Sequence, residues 1–171
     1  MKPIQILFAT LAFAMVATAQ PRNLPAGYIV ETVNIPKEIT LGVGGMAFMD
    51  NNTLLICTRE GEVWKFNTQD GRWELYADGL HESLGLWIDR KKGDVYVMQR
   101  PELTRLVDTN KDGKADLYQT VNAGWGLTDN YHEYTFGPVR DSKGNFYGTL
   151  NTSLSWPGWA GSDKWDKARV H

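Results

Sequence analysis

Two histidines, an acidic loop and a set of charged turn residues are the parts of this chain that could do chemistry. Asp108-Thr-Asn-Lys-Asp-Gly-Lys-Ala-Asp116 alternates Asp108, Asn110 and Asp112, turns at Gly113 and closes with Asp116. Calcium takes about six to eight oxygen ligands, which alternate oxygen-bearing side chains around a glycine turn can offer. Lys114 would add its backbone carbonyl. The loop is no EF-hand: Gln119 stands where the closing glutamate belongs, and strand-like segments flank it. His132 and His81 are the candidate proton acceptors, since an imidazole can take a proton from a hydroxyl near neutral pH. Arg59, Glu60, Arg100, Glu102 and Trp125 are the candidate contacts for a bound molecule. The chain carries no His-x-x-x-His metal motif and no phosphate-cradling glycine loop.

The elements that must position these residues read as strands. Gly45–Phe48, Thr53–Thr58, Glu62–Phe66 and Trp73–Ala77 are short apolar runs separated by turn residues. Gly85–Ile88 repeats the first run 40 residues on, and Val95–Met98 repeats Leu54–Cys57 after 41. A third repeat opens at Phe136, 48 residues beyond Ile88, as a hairpin of Tyr134–Phe136 and Phe146–Leu150. Its turn signals are Gly137-Pro138 and Asp141–Asn145. Four strands in each span of about 40–50 residues predict an all-β protein made of β-propeller blades, each a four-stranded antiparallel meander. Two complete blades and half of a third predict an incomplete propeller.

Blade topology sorts the loops. Turns from a second to a third strand share a face with loops from a fourth strand to the next first strand. Arg59, Glu60, His81, Glu82, Arg100, Glu102, Trp125 and His132 fall on that face, and Asp108–Asp116 on the opposite one. The third repeat starts late because Val121–Tyr131 carries an insertion of six residues, immediately before His132.

The remaining organisation follows from composition. Lys2, the apolar run from Ile4 to Val16 and Ala17-Thr18-Ala19 form a secretory signal over residues 1–19. Its apolar run is short for a membrane span, which needs about 20 residues. Residues 20–35 read as a leader with an edge strand at Tyr28–Val33, and 36–171 as the partial propeller. The product is exported, to the periplasm or the exterior. The formal charge of −2 without a basic stripe argues against nucleic acid as a partner. Cys57 is the only cysteine, so no internal disulfide can form.

The strings Gly79–Leu86, Gln99–Leu106, Asp108–Asp116 and Asn130–Asn151 resemble the sorbosone/glucose dehydrogenase-like six-bladed propellers. The nearest likeness is to their large bacterial membrane-bound dehydrogenase branch. The resemblance implies a pyrroloquinoline quinone-dependent oxidation of a sugar or polyol with a histidine base, here His132 or His81. It also implies further blades, and a c-type haem domain, outside these 171 residues. In that family the base stands seven residues before the Phe of Phe-Gly-Pro, a position held here by Asp129, whereas His132 is four before Phe136. The alternatives are a non-catalytic propeller that binds saccharide or protein, with Trp125 and Trp156 as stacking surfaces, and a lactonase-like hydrolase.

Overall fold

The computed structural model describes residues 25–126 and 132–151. The signal segment, the loop from 127 to 131 and the Trp156 tail lie outside these residues. The chain divides into two units, Met1–Val33 and Asn34–His171. In the first unit, Tyr28–Val33 is exposed and forms no strand, contrary to the sequence expectation. The run lacks the alternation of apolar and polar residues that gives a strand one face to bury.

Among its described residues the second unit holds ten strands and no helix. They are β1 (Val43–Phe48), β2 (Thr53–Thr58), β3 (Val63–Asn67), β4 (Trp73–Ala77), β5 (Leu86–Asp89), β6 (Asp94–Met98), β7 (Leu103–Val107), β8 (Leu117–Asn122), β9 (Thr135–Arg140) and β10 (Phe146–Leu150). β1 to β4 pair in sequence order as one antiparallel sheet, β5 to β8 as a second, and β9 with β10 as a third. The architecture is therefore all-β and antiparallel, with two four-stranded meanders and a hairpin.

The third repeat differs in detail from its sequence reading. Gly137-Pro138 does not turn the chain; both residues lie inside β9, beside a register shift between Tyr147 and Thr149. The hairpin turns at Asp141 to Gly144 instead. Gly144 therefore stands 51 residues beyond Gly93, its counterpart in the second sheet, rather than the 48 expected. Each first hairpin is capped by an aspartate. Asp50 accepts from Asn52 N, Asp89 from Lys91 N and Asp141 from Lys143 N. Such side chains satisfy turn amides that no ladder reaches. The hydrogen bond from the Asn145 side chain helps hold the Asp141 carboxyl at about 2, below the usual carboxylate range.

Two layers of side chains join the sheets. Between the first and second, Leu55, Cys57, Val63 and Tyr76 pack against Leu86, Ile88, Val95 and Val97. Cys57 is fully buried there, and burial pushes its thiol up to about 11, so it packs as a small apolar group. Between the second and third, the Arg140 guanidinium lies 4.9 Å from the Trp87 ring centroid and 5.0 Å from that of Phe146. Asp89 balances its charge at 3.6 Å.

The first strands of successive sheets come closest at glycines. A Cβ on Gly45 would stand 2.6 Å from the Gly85 Cα, and one on Gly85 only 1.7 Å from the Gly137 carbonyl oxygen. Gly85 also has φ +148, outside the range of other residues. Gly85→Ala should therefore destabilise the fold by at least about 3 kcal/mol, through backbone clash and strain together. Chemical denaturation measures this directly. A loss under about 1 kcal/mol, the range of an ordinary surface change, would contradict the close approach.

Candidate functional site

Glycine contact brings the starts of β5 and β9 together, and the preceding loops meet there. The β4–β5 loop supplies His81 and Glu82, the β6–β7 turn supplies Arg100, the β2–β3 turn supplies Arg59, and Tyr134 stands just before β9. Their common point is the Glu82 carboxylate. Arg100 Nη1 donates to one oxygen at 3.0 Å and Arg59 Nη2 to the other at 3.3 Å. His81 Nε2 lies 4.0 Å from the same oxygen as Arg100. The Arg59 guanidinium also reaches the Tyr134 hydroxyl at 3.3 Å. Glu82 has φ +48, a left-handed backbone uncommon for a residue with a side chain.

Arg100 is the hub of this cluster. Its residue is buried, and its Nε donates to the Glu133 carbonyl at 3.2 Å. Its own carbonyl accepts from Trp125 Nε1 at 2.9 Å and from the Thr135 hydroxyl at 3.1 Å. The β6–β7 turn that carries it is fixed by the Arg100 amide on the His81 carbonyl and by Gln99, whose side chain accepts from the His81 amide at 2.6 Å. Behind Trp125 and Thr135 lies a cavity of about 280 Å³ between the second and third sheets. Met98, Leu103, Phe146 and Leu150 give it an apolar wall, and Asn122 and Thr135 are polar groups on it. Asn122 turns its carbonyl oxygen to the Gly124 amide at 2.7 Å.

The other sequence candidates are placed differently. Glu60 accepts from the Gly42 amide at 3.2 Å at an exposed edge. Glu102 turns into its own sheet and accepts from Thr104 at 2.5 Å and Thr120 at 2.8 Å. The His132 carbonyl accepts from the Tyr134 amide at 2.9 Å and from the Asn151 side chain at 3.3 Å, which fixes the entry to β9. Sequence reasoning put Glu82 on this face without a role, and left Tyr134, Met98, Asn122 and Phe146 out of the site. The string Gly79–Leu86 carried a signal for Glu82, but its positive φ has no sequence signature outside glycine and asparagine.

The acidic loop is closed on itself. Asp108 Oδ2 accepts from the Gly113 amide at 2.8 Å, Asn110 Oδ1 from the Asp112 amide at 2.9 Å, Asp112 Oδ1 from the Lys114 amide at 2.9 Å, and both Asp116 oxygens bind Thr109. The Lys65 ammonium of the first sheet reaches the Gly113 carbonyl at 2.7 Å. Asp108 Oδ1 is buried without a hydrogen-bond partner. Among the described residues no three Asp, Glu, His or Cys side chains gather as they would around a metal ion. As folded, the loop clasps the second sheet to the first through Lys65.

An antiparallel β protein with a buried arginine hub beside an aromatic-walled cavity is the class that fold and site define. Two curated proteins resemble the chain. The glycine betaine-binding periplasmic protein OusX of Dickeya dadantii (strain 3937) is 26% identical over 170 residues, covering 90% of this chain and 50% of that protein. The glycine betaine/proline betaine-binding periplasmic protein of Escherichia coli (strain K12) is 29% identical over 106 residues, 56% of this chain and 32% of that protein. The chain thus spans half or less of the length of the curated relatives it matches. No protein-family model matches it, and no solved structure does.

These comparisons correct the sequence expectation of a quinone-dependent dehydrogenase. Both relatives are named for binding betaines in the periplasm, not for oxidising sugars. The resemblance had rested on the strings Gly79–Leu86, Gln99–Leu106, Asp108–Asp116 and Asn130–Asn151. The pyrroloquinoline quinone belonged to that oxidation and goes with it. Among the described residues no helix is long and apolar enough to cross a membrane.

Arg100→Ala should lower the stability of the chain by roughly 2–4 kcal/mol, because it leaves Glu82 only the exposed Arg59, takes the donor from the Glu133 carbonyl and empties the space of a buried side chain. Arg100→Lys, which keeps the charge but only one donor group, should recover part of that loss. Denaturant unfolding of the two variants measures the difference, and equal stability of parent and Arg100→Ala would show that the cluster is only a surface ion pair.

Proposed function

We propose that this chain is part of an exported protein that binds a small quaternary-ammonium zwitterion of the betaine type without transforming it. The observation that carries the reading is the cavity of about 280 Å³ with Trp125, Phe146 and Met98 on its wall. A trimethylammonium group is a cation coated in methyls. Aromatic faces attract it through their quadrupole, and it demands no hydrogen bonds from the wall. The Met98 thioether adds a soft, polarisable contact. Trp125 is well suited to the task because its N–H is tied to the Arg100 carbonyl, which leaves the ring face to the ligand. Asn122 lies on the same wall, and its NH₂ can donate to the ligand carboxylate. The names of the two relatives and the secretory signal support export to the periplasm.

The scaffold fits consecutive blades of a propeller. Two meanders and a hairpin repeat at offsets of 40 and about 51 residues, with their first strands side by side. In such an array the Glu82 cluster, which precedes the first strands β5 and β9, belongs near the central axis.

Isothermal titration of glycine betaine into the mature chain tests the proposal. A saturable heat is expected, and Trp125→Ala should weaken the affinity at least tenfold, the scale of a desolvated cation–π contact. Absence of any heat at millimolar ligand, or a Trp125→Ala variant that binds like the parent, would sink it.

A further inference from the structure

The loop between β7 and β8 carries more charge than a turn needs. The matching turn of the first sheet, between β3 and β4, is capped by Asn67 on the Gln69 amide and by Asp70 on the Arg72 amide. None of its side-chain oxygens is buried without a hydrogen-bond partner. In the β7–β8 loop one oxygen of Asp108 caps the Gly113 amide, while the other, Oδ1, is buried with nothing to donate to it. A buried carboxylate oxygen left in that state is costly, and an ion or a water is the usual remedy.

A second such oxygen lies under the loop, on the other sheet. Tyr76 of β4 is 3% exposed, and its hydroxyl has no hydrogen-bond partner either. The Tyr76 carbonyl accepts from the Ala115 amide at 2.8 Å, which sets the loop on β4 at that residue. Burial pushes the Tyr76 hydroxyl up to about 12, and the Asp108 carboxylate is the foremost of the charges that add to the push, ahead of Asp94 and Asp116. Asp94 is engaged by Arg105 at 2.7 Å. The phenol and the Asp108 oxygen thus face a common region, yet neither bonds the other or any other group of the protein.

We propose that the loop binds a calcium ion through Asp108 Oδ1, the side-chain oxygens of Asn110, Asp112 and Asp116 and the Lys114 carbonyl, and that a water carried by the ion donates to the Tyr76 hydroxyl. The ion then ties the second sheet to the first, beside the Lys65 bond to the Gly113 carbonyl. Calcium takes about six to eight oxygens in a pliable arrangement, so an amide, a carbonyl and water count beside carboxylates. The acidic side chains do not gather as a group of three in the loop as folded. Asp112 and Asp116 are held by the Lys114 amide and by Thr109, and their oxygens keep further lone pairs for the ion. Gln119, which stands where a bidentate glutamate would close the set, gives its oxygen to Arg105 at 2.8 Å. One strong ligand short, the site belongs with weak extracellular calcium modules, whose dissociation constants are about 10⁻⁴–10⁻³ M.

The test is thermal unfolding of the full mature chain, stripped with EDTA and then returned to calcium chloride or magnesium chloride up to about 10 mM. Calcium at about ten times its dissociation constant should raise the melting temperature by roughly 3 °C or more, and magnesium by less. Asp108→Asn keeps an oxygen for the Gly113 amide and removes the stranded charge, so it should fold and lose the calcium rise. Asp112→Asn is the second variant, for use if Asp108→Asn fails to fold by circular dichroism. In isothermal titration with calcium chloride, Tyr76→Phe should weaken binding about fivefold, the worth of one hydrogen bond. A melting temperature indifferent to calcium overturns the proposal and leaves water as the partner of the two oxygens. An equal rise with magnesium, or a calcium rise that the aspartate variant keeps, overturns it too, as the mark of simple screening. Unweakened binding by Tyr76→Phe overturns the tie to the first sheet.

Discussion

The close approach of three backbones at Gly45, Gly85 and Gly137 is the constraint on which the remaining structure depends. With a side chain at Gly85 the start of β5 could not lie against β9, since that side chain would meet the Gly137 carbonyl at 1.7 Å. Separated first strands would pull apart the loops that lead into them. Glu82 and Tyr134 belong to two such segments, and their contacts of 3.0–3.3 Å with Arg100 and Arg59 depend on the strands behind them touching. The apolar layers then follow from alternation: Leu55 and Cys57 inward on one side, Val95 and Val97 inward on the other.

Arg100 converts that geometry into a site. One residue ties a carboxylate and a carbonyl with its guanidinium, and an indole and a hydroxyl with its own carbonyl. The charged cluster and the aromatic-walled cavity are thus two sides of one turn. A buried guanidinium is costly to desolvate, so its value here is geometric: it fixes where Trp125 and Thr135 stand. Arg140 does related work further out, filling a box of Trp87, Tyr96 and Phe146 with the chain's own cation. That box lies against the proposed ligand cavity, with Phe146 common to both.

The strands were largely legible because their residues alternate and their turns carry Gly, Asn and Asp. β2, β4 and β10 have the bounds that pattern indicates. Gly137-Pro138 misled because a turn dipeptide can also sit in an irregular strand beside a bulge. Tyr28–Val33 misled because β-branched residues alone do not make a strand without a partner to pair with. The site was less legible. Loop-face sorting picks out residues that could converge, but not which side chains turn inward: Arg100 does, while Glu102 turns back into its own sheet. The acidic loop has the spacing of a cation site, and the fold adds what the spacing does not tell: its side chains bond to their own backbone and Lys65 ties it to the first sheet. Functional analogy was the least secure step, since short turn motifs pointed to an oxidoreductase that the comparisons do not support.

The central claim is that the space behind Trp125, held by Arg100, receives a methylated cation. Intermolecular nuclear Overhauser effects between glycine betaine methyl protons and the isotope-labelled mature chain test it most directly. The account predicts cross-peaks from those methyls to the Trp125 indole, the Phe146 ring and the Met98 methyl. Cross-peaks confined to other residues, or none at saturating ligand, would contradict it.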